Sequence, residues 1–81
     1  NIISKVTVFP NPSSNDFNIN IPYLNGEKVI IKVYDVQHRM IKNFSANSNQ
    51  LIKMGYDLKP GAYIVEIISG NNSNKTKIVK Q

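Results

Sequence analysis

Few side chains in this sequence could do chemistry. The 81 residues include five acids, Asp16, Glu27, Asp35, Asp57 and Glu66, one histidine, His38, and no cysteine. General acid–base work needs two such groups within hydrogen-bonding reach of one substrate. The five acids are well separated, and no spacing singles out a pair. A zinc centre needs several Cys or His ligands, so the lone His38 reads as a turn residue. Ser13 and Ser14 lie outside any nucleophile-elbow motif. No glycine-rich loop is present to cradle a phosphate. Asn15, Asp16 and Asp57 carry oxygens a calcium ion would accept, but without the ligand density of a calcium loop. These residues point to a non-catalytic chain with no metal and no cofactor.

The charge balance carries little more. The formal net charge is +5 and the pI about 9.6. Only Lys75, Lys77 and Lys80 cluster, and Arg39 is the single arginine. A nucleic-acid surface gathers Arg and aromatics on one face, so a solvated basic surface is expected, with no nucleic-acid partner. Three Asn-x-Ser/Thr triplets, at Asn43, Asn71 and Asn74, are expected by chance in an Asn-rich chain. A small extracellular eukaryotic domain would commonly carry disulfides, so the lack of cysteine leans towards a bacterial origin. The sequence starts at Asn1 with no charged leader before an apolar core. No apolar run approaches the roughly 20 residues of a membrane helix. The expectation is one domain over residues 1–81, excised from a longer protein.

The elements that must position any site are strands. Short alternating runs are separated by Asn, Gly, Pro and Ser, the pattern of an all-β sandwich or barrel. Strands are predicted at 5–9, 16–21, 28–36, 39–45, 50–54, 62–69 and 75–80. Phe17, Ile19 and Ile21 should face inward, with Asn18 and Asn20 outward. Asn25-Gly26 is a hairpin signal. Val29-Ile30-Ile31 is apolar on both faces, as in a central strand. Met40, Lys42 and Phe44 should share one side of their strand, with Ile41 on the other. Gly70-Asn71-Asn72-Ser73 is a hairpin loop. Leu58-Lys59-Pro60-Gly61-Ala62-Tyr63 has a Pro-Gly corner, where Gly61 should take φ > 0 as in a type II turn. Tyr63 then opens a strand as the tyrosine corner of an immunoglobulin-like sandwich does, its ring in the core and its hydroxyl bonded to the backbone. The architecture expected is an immunoglobulin-like antiparallel β-sandwich of about seven strands. Phe17, Ile19, Val33, Tyr63, Val65 and Ile67 are its candidate core.

Three stretches, taken in order, carry a resemblance. The start reads Val6-Thr7-Val8-Phe9-Pro10-Asn11-Pro12-Ser13-Ser14, followed by Phe17-Asn18-Ile19. The middle reads Ile31-Lys32-Val33-Tyr34-Asp35-Val36. After Met54-Gly55, Leu58 and Pro60-Gly61-Ala62-Tyr63-Ile64-Val65, the chain ends Lys77-Ile78-Val79-Lys80-Gln81. This order resembles the C-terminal sorting domain of type IX (Por) secretion system cargo. The resemblance implies a domain attached to an N-terminal cargo domain and recognised at the outer membrane by the type IX translocon. It also implies a sortase-like peptidase that often removes the domain, and a product secreted or held at the surface of a Gram-negative bacterium via its periplasm. The residues it suggests for translocon recognition are Pro10, Asn11, Pro12, Lys77, Ile78, Val79, Lys80 and Gln81, with Gly61 and Tyr63 as the fold motif. Members usually carry Asn-Gly or a similar pair in the turn where this chain has Gln37-His38.

The bland reading of the two ends stays open. Pro10-Asn11-Pro12 can simply stop a strand and blunt an edge. Lys77 to Gln81 can be an edge strand whose lysines guard against aggregation. A terminal strand is also free to pair with a receptor's edge, and that is the functional reading. The competing class is a fibronectin-III-like or carbohydrate-binding adhesion module. Its sugar-stacking candidates are Tyr23, Tyr34 and Tyr56.

Overall fold

The alternating runs become seven strands and no helix in the computed structural model, which describes residues 6–22, 26–48 and 50–81. They are β1 (Thr7–Phe9), β2 (Phe17–Asn20), β3 (Lys28–Tyr34), β4 (Met40–Asn47), β5 (Ile52–Met54), β6 (Gly61–Ser69) and β7 (Asn72–Lys80). One sheet has the order β1-β2-β5 and the other β4-β3-β6-β7, with every pairing antiparallel. The two sheets form an immunoglobulin-like sandwich. No helix among the described residues is long and apolar enough to cross a membrane.

Period-two alternation decides what is buried. Phe17, Ile19 and Ile21 meet Val29, Ile31 and Val33 of β3, Tyr63, Val65 and Ile67 of β6, and Ile78 of β7 in one core. All six expected core residues are in it. Asn20 faces solvent and Asn18 is half-buried. Interiors of this kind pack at crystal-like density, so each inward position is held by its neighbours on both sheets.

Four expectations need correction. Asn25 lies outside the described residues, but the strands on either side, β2 and β3, belong to different sheets and do not pair as a hairpin. Strand β3 is central, between β4 and β6, but it is buried on one face only. Ile30 is exposed on the other, because none of the described residues covers the outside of this sheet. Met40 does not join Phe44. A bulge between Val33 and Tyr34 sets Met40 opposite Tyr34, so Ile41 is the extra residue and Met40 is exposed. The last strand starts three residues early, at Asn72, leaving Gly70-Asn71 as the loop.

The β3–β4 hairpin shows how this chain manages without Asn-Gly. The His38 N–H donates to the Asp35 carbonyl at 3.0 Å, and the Asp35 N–H to the Arg39 carbonyl at 3.0 Å. His38 alone takes the left-handed conformation, at φ 64°. This is a three-residue loop, not a two-residue type I′ turn, and it needs only one positive φ. The Asp35 carboxylate holds it by accepting the Gln37 and Arg39 N–H groups and pairing with Arg39 Nε at 2.8 Å. The Arg39 amide bond is the main reason its pKa lies below the usual carboxylate value.

Candidate functional site

Residues 11–13 and 77–81 meet. Both X-Pro bonds of Phe9-Pro10 and Asn11-Pro12 are cis. Neither proline has an N–H, so this segment cannot extend a ladder by backbone alone. Asn11 supplies the missing groups from its side chain, since a carboxamide is both donor and acceptor. Its Nδ2 donates to the Lys77 carbonyl at 2.9 Å, and its Oδ1 accepts the Val79 N–H at 3.0 Å. Ser13 continues with backbone groups: its N–H donates to the Val79 carbonyl at 3.1 Å, and its carbonyl accepts the Gln81 N–H at 2.9 Å. Ser13 thus forms a parallel bridge opposite Lys80. Its own hydroxyl bonds back to the Asp16 carbonyl, which stiffens the loop.

The terminal strand therefore has no free edge over residues 77–81. Strand β6 takes one side and the Asn11–Ser13 segment the other. The expectation of an edge open to a receptor fails because Pro10-Asn11-Pro12 does more than stop β1. It folds back and completes β7.

Lys80 is also not a solvated guard residue, nor part of a cluster with Lys75 and Lys77. Those two are exposed, whereas Lys80 is 5% exposed. Residues 78 and 80 share a face, and Ile78 puts that face in the core. The Lys80 stem passes inward, and Nζ donates to the carbonyls of Gly55 at 2.6 Å, Asn15 at 2.7 Å and Tyr56 at 3.1 Å. An ammonium has three donors, and all three find acceptors. They join β7 to the start of β2 and to the β5–β6 connection.

The acids are engaged separately. Asp57 accepts from Lys42 Nζ at 2.8 Å, and that hydrogen bond is the main reason its pKa is lowered. Tyr34 donates to Glu66 Oε1 at 3.2 Å across the outer face of the sheet; its phenol pKa is raised, first by desolvation and then by that carboxylate. Among the described residues no group of acids and His could hold a metal ion. Of the sugar-stacking candidates, Tyr56 is exposed, Tyr34 is tied to Glu66, and Tyr23 lies outside the described residues.

What the terminal strand leaves accessible is its outward set, Lys75, Lys77 and Val79. In register these lie beside Glu66, Ile64 and Ala62 of β6. Tyr34 and His38 join Ile64, Lys75 and Lys77 around a shallow groove there.

The profile of the family described as secretion system C-terminal sorting domain matches residues 7–81. The chain belongs to the C-terminal sorting domains of type IX secretion. Such a sorting domain is a non-catalytic module, and membership implies secretion or display at the cell surface. The chain is 34% identical over 83 residues to an endo-acting ulvan lyase of Formosa agariphila. That alignment covers 98% of this chain and 16% of the lyase.

In this sorting domain the fold motif behaves as its sequence suggests, with one change. Tyr63 is buried, and its hydroxyl donates to the Lys59 carbonyl at 2.6 Å, forming the tyrosine corner. Gly61 has positive φ, but at 151°, well away from the roughly 80° of a type II turn. It is already the first residue of β6, opposite Lys80. That backbone region is essentially glycine's alone. Of the eight candidate recognition residues, the fold brings all into one region, but Ile78 and Lys80 are buried and the other six are exposed. Nothing in the local sequence marks Ser13 as a strand partner or places three carbonyls around Lys80. Only the parity of Lys80 with Ile78 was available as a signal.

Proposed function

We propose that residues 1–81 are a single sorting domain cut from a larger exported protein, and that the type IX translocon recognises it at the outer membrane. The translocon meets the region where Pro10, Asn11 and Pro12 adjoin Lys77 to Gln81. A sortase-like peptidase then removes the domain or links the cargo to the surface. The observation that carries this reading is that the two ends on which the resemblance rests, 66 or more residues apart, are hydrogen-bonded to each other. A strand stop or an aggregation guard would need no such partner. The relationship to a lyase of which the match covers 16% supports an N-terminal cargo domain.

The test is a fusion of residues 1–81 to a periplasm-targeted reporter in a bacterium with type IX secretion. The intact fusion should reach the medium or the cell surface. Removal of residues 77–81 should leave the reporter in the periplasm. Periplasmic retention of the intact fusion refutes the reading.

A further inference from the structure

We propose that the terminal strand is a signal only in its clasped form, with Asn11 as the residue that positions it. The partner is a protein surface with carboxylates for Lys75 and Lys77 and an apolar contact for Val79 and Ile64. This rests on the sorting reading above and says what conformation is read.

Two observations lead here. First, both edges of the strand are occupied at residues 77–81, one by β6 and one by Asn11 and Ser13. A receptor therefore cannot add its own strand at that edge, which is how a free terminal peptide is usually captured. It must use side chains. Second, alternation splits the tail into two sets. Ile78 and Lys80 point inward, at 0% and 5% exposure, and are unavailable. Lys77 and Val79 point outward in register with Ile64 and Ala62, which are half-buried on the same face, left uncovered by the described residues. The only acid among Lys32, Glu66 and Lys75, which lie side by side in register there, is Glu66, and it is engaged by Tyr34. The face is therefore basic with an apolar centre, and its complement is acidic with an apolar contact. Holding Lys77 and Val79 in place before the encounter removes the ordering cost a loose tail would impose.

Asn11 is exposed, so Asn11→Ala removes two hydrogen bonds from the strand without opening the core. The Val79 amide loses its acceptor. In hydrogen exchange on the 81-residue chain it should exchange about tenfold faster or more. Export of the reporter fusion should fall about tenfold while circular dichroism still reports a folded sandwich. Tyr63→Phe serves as the control: it loses a partly buried hydrogen bond, to the Lys59 carbonyl, that is not part of the clasp and should export normally. Lys77→Glu should stay folded and clasped, with Val79 protected, and still lose export. A fusion carrying residues 72–81 alone should not be exported.

Normal export by Asn11→Ala with a freed Val79 amide overturns the proposal, because the tail is then read without its clasp. Export of the 72–81 fusion at the level of the whole domain does the same. A Val79 amide that stays protected in Asn11→Ala shows that Asn11 holds nothing and also overturns it. These outcomes leave the sorting reading standing, since the intact fusion is exported in each. Failure of the intact fusion removes the sorting reading and this proposal together.

Discussion

Lys80→Met tests the reading of the terminal strand most directly. The two side chains are similar in length, so the apolar stem stays packed while three donors vanish. The Gly55 carbonyl loses a buried partner at 2.6 Å, and those of Asn15 and Tyr56 lose partly buried ones. Hydrogen bonds to a charged group contribute about 1.5–3 kcal/mol each, and an orphaned buried acceptor costs about 1–3 kcal/mol. Against this, the variant no longer desolvates an ammonium, a cost of several kcal/mol. The Asn15 and Tyr56 carbonyls can recover water; that of Gly55 cannot. The net expected loss is about 2–4 kcal/mol, mostly the orphaned Gly55 carbonyl plus the residue of the other two bonds. For a domain of this size that lowers the melting temperature by about 8–30 °C. Urea denaturation of the purified chain, followed by circular dichroism, measures it. Lys77→Met, on the opposite face three residues earlier, should stay within about 0.5 kcal/mol, as exposed substitutions do. If the two variants lose the same small amount, Nζ of Lys80 reaches water in solution and the argument from strand parity is wrong.

Three further outcomes are expected. Tyr63→Phe should cost about 1–1.5 kcal/mol in the same denaturation assay, since it removes the bond to the Lys59 carbonyl and leaves the ring in place. His38→Gly should be neutral or stabilising by up to about 1 kcal/mol, because relief of the left-handed strain at φ 64° exceeds or balances the added flexibility of glycine; a clear loss would mean that the imidazole itself holds the hairpin. The Asp35 carboxylate has its pKa lowered on folding, so its contribution is present above the unfolded value of 3.8 and is lost as pH falls through the lower folded value. The Gln37 and Arg39 amide resonances should therefore titrate with a midpoint below 3.8, and a midpoint at or above it would show that those bonds do not form in solution.

Much of the architecture was legible in local pattern. Alternation assigned the inward residues of β2 and β6, because a half-buried strand must repeat every two residues whatever it packs against; in β3 the apolar Ile30 hid the same alternation. Leu58-Lys59-Pro60-Gly61-Ala62-Tyr63 announced the tyrosine corner, because all its parts lie within six residues. Met40 escaped because a bulge adds one residue without any local mark, and every inference about faces beyond it inverts. Asn25-Gly26 misled because turn chemistry says that the chain bends, not whether the strands on either side pair in one sheet.

By itself the sequence determined the strand-rich pattern, the scarcity of catalytic groups and the two distinctive ends. Only the tertiary structure decided that those ends are one site. Asn11 and Lys77 are 66 positions apart, and nothing local to either says that a carboxamide will stand in for a missing strand. The same holds for Lys80. Its charge argues for water, but its parity with Ile78 sends it inward. Burial is tolerated only because three carbonyls from two distant loops converge there. A buried polar group is acceptable when its partners are in place, and where partners stand is a property of the assembled sheets, not of any stretch of chain.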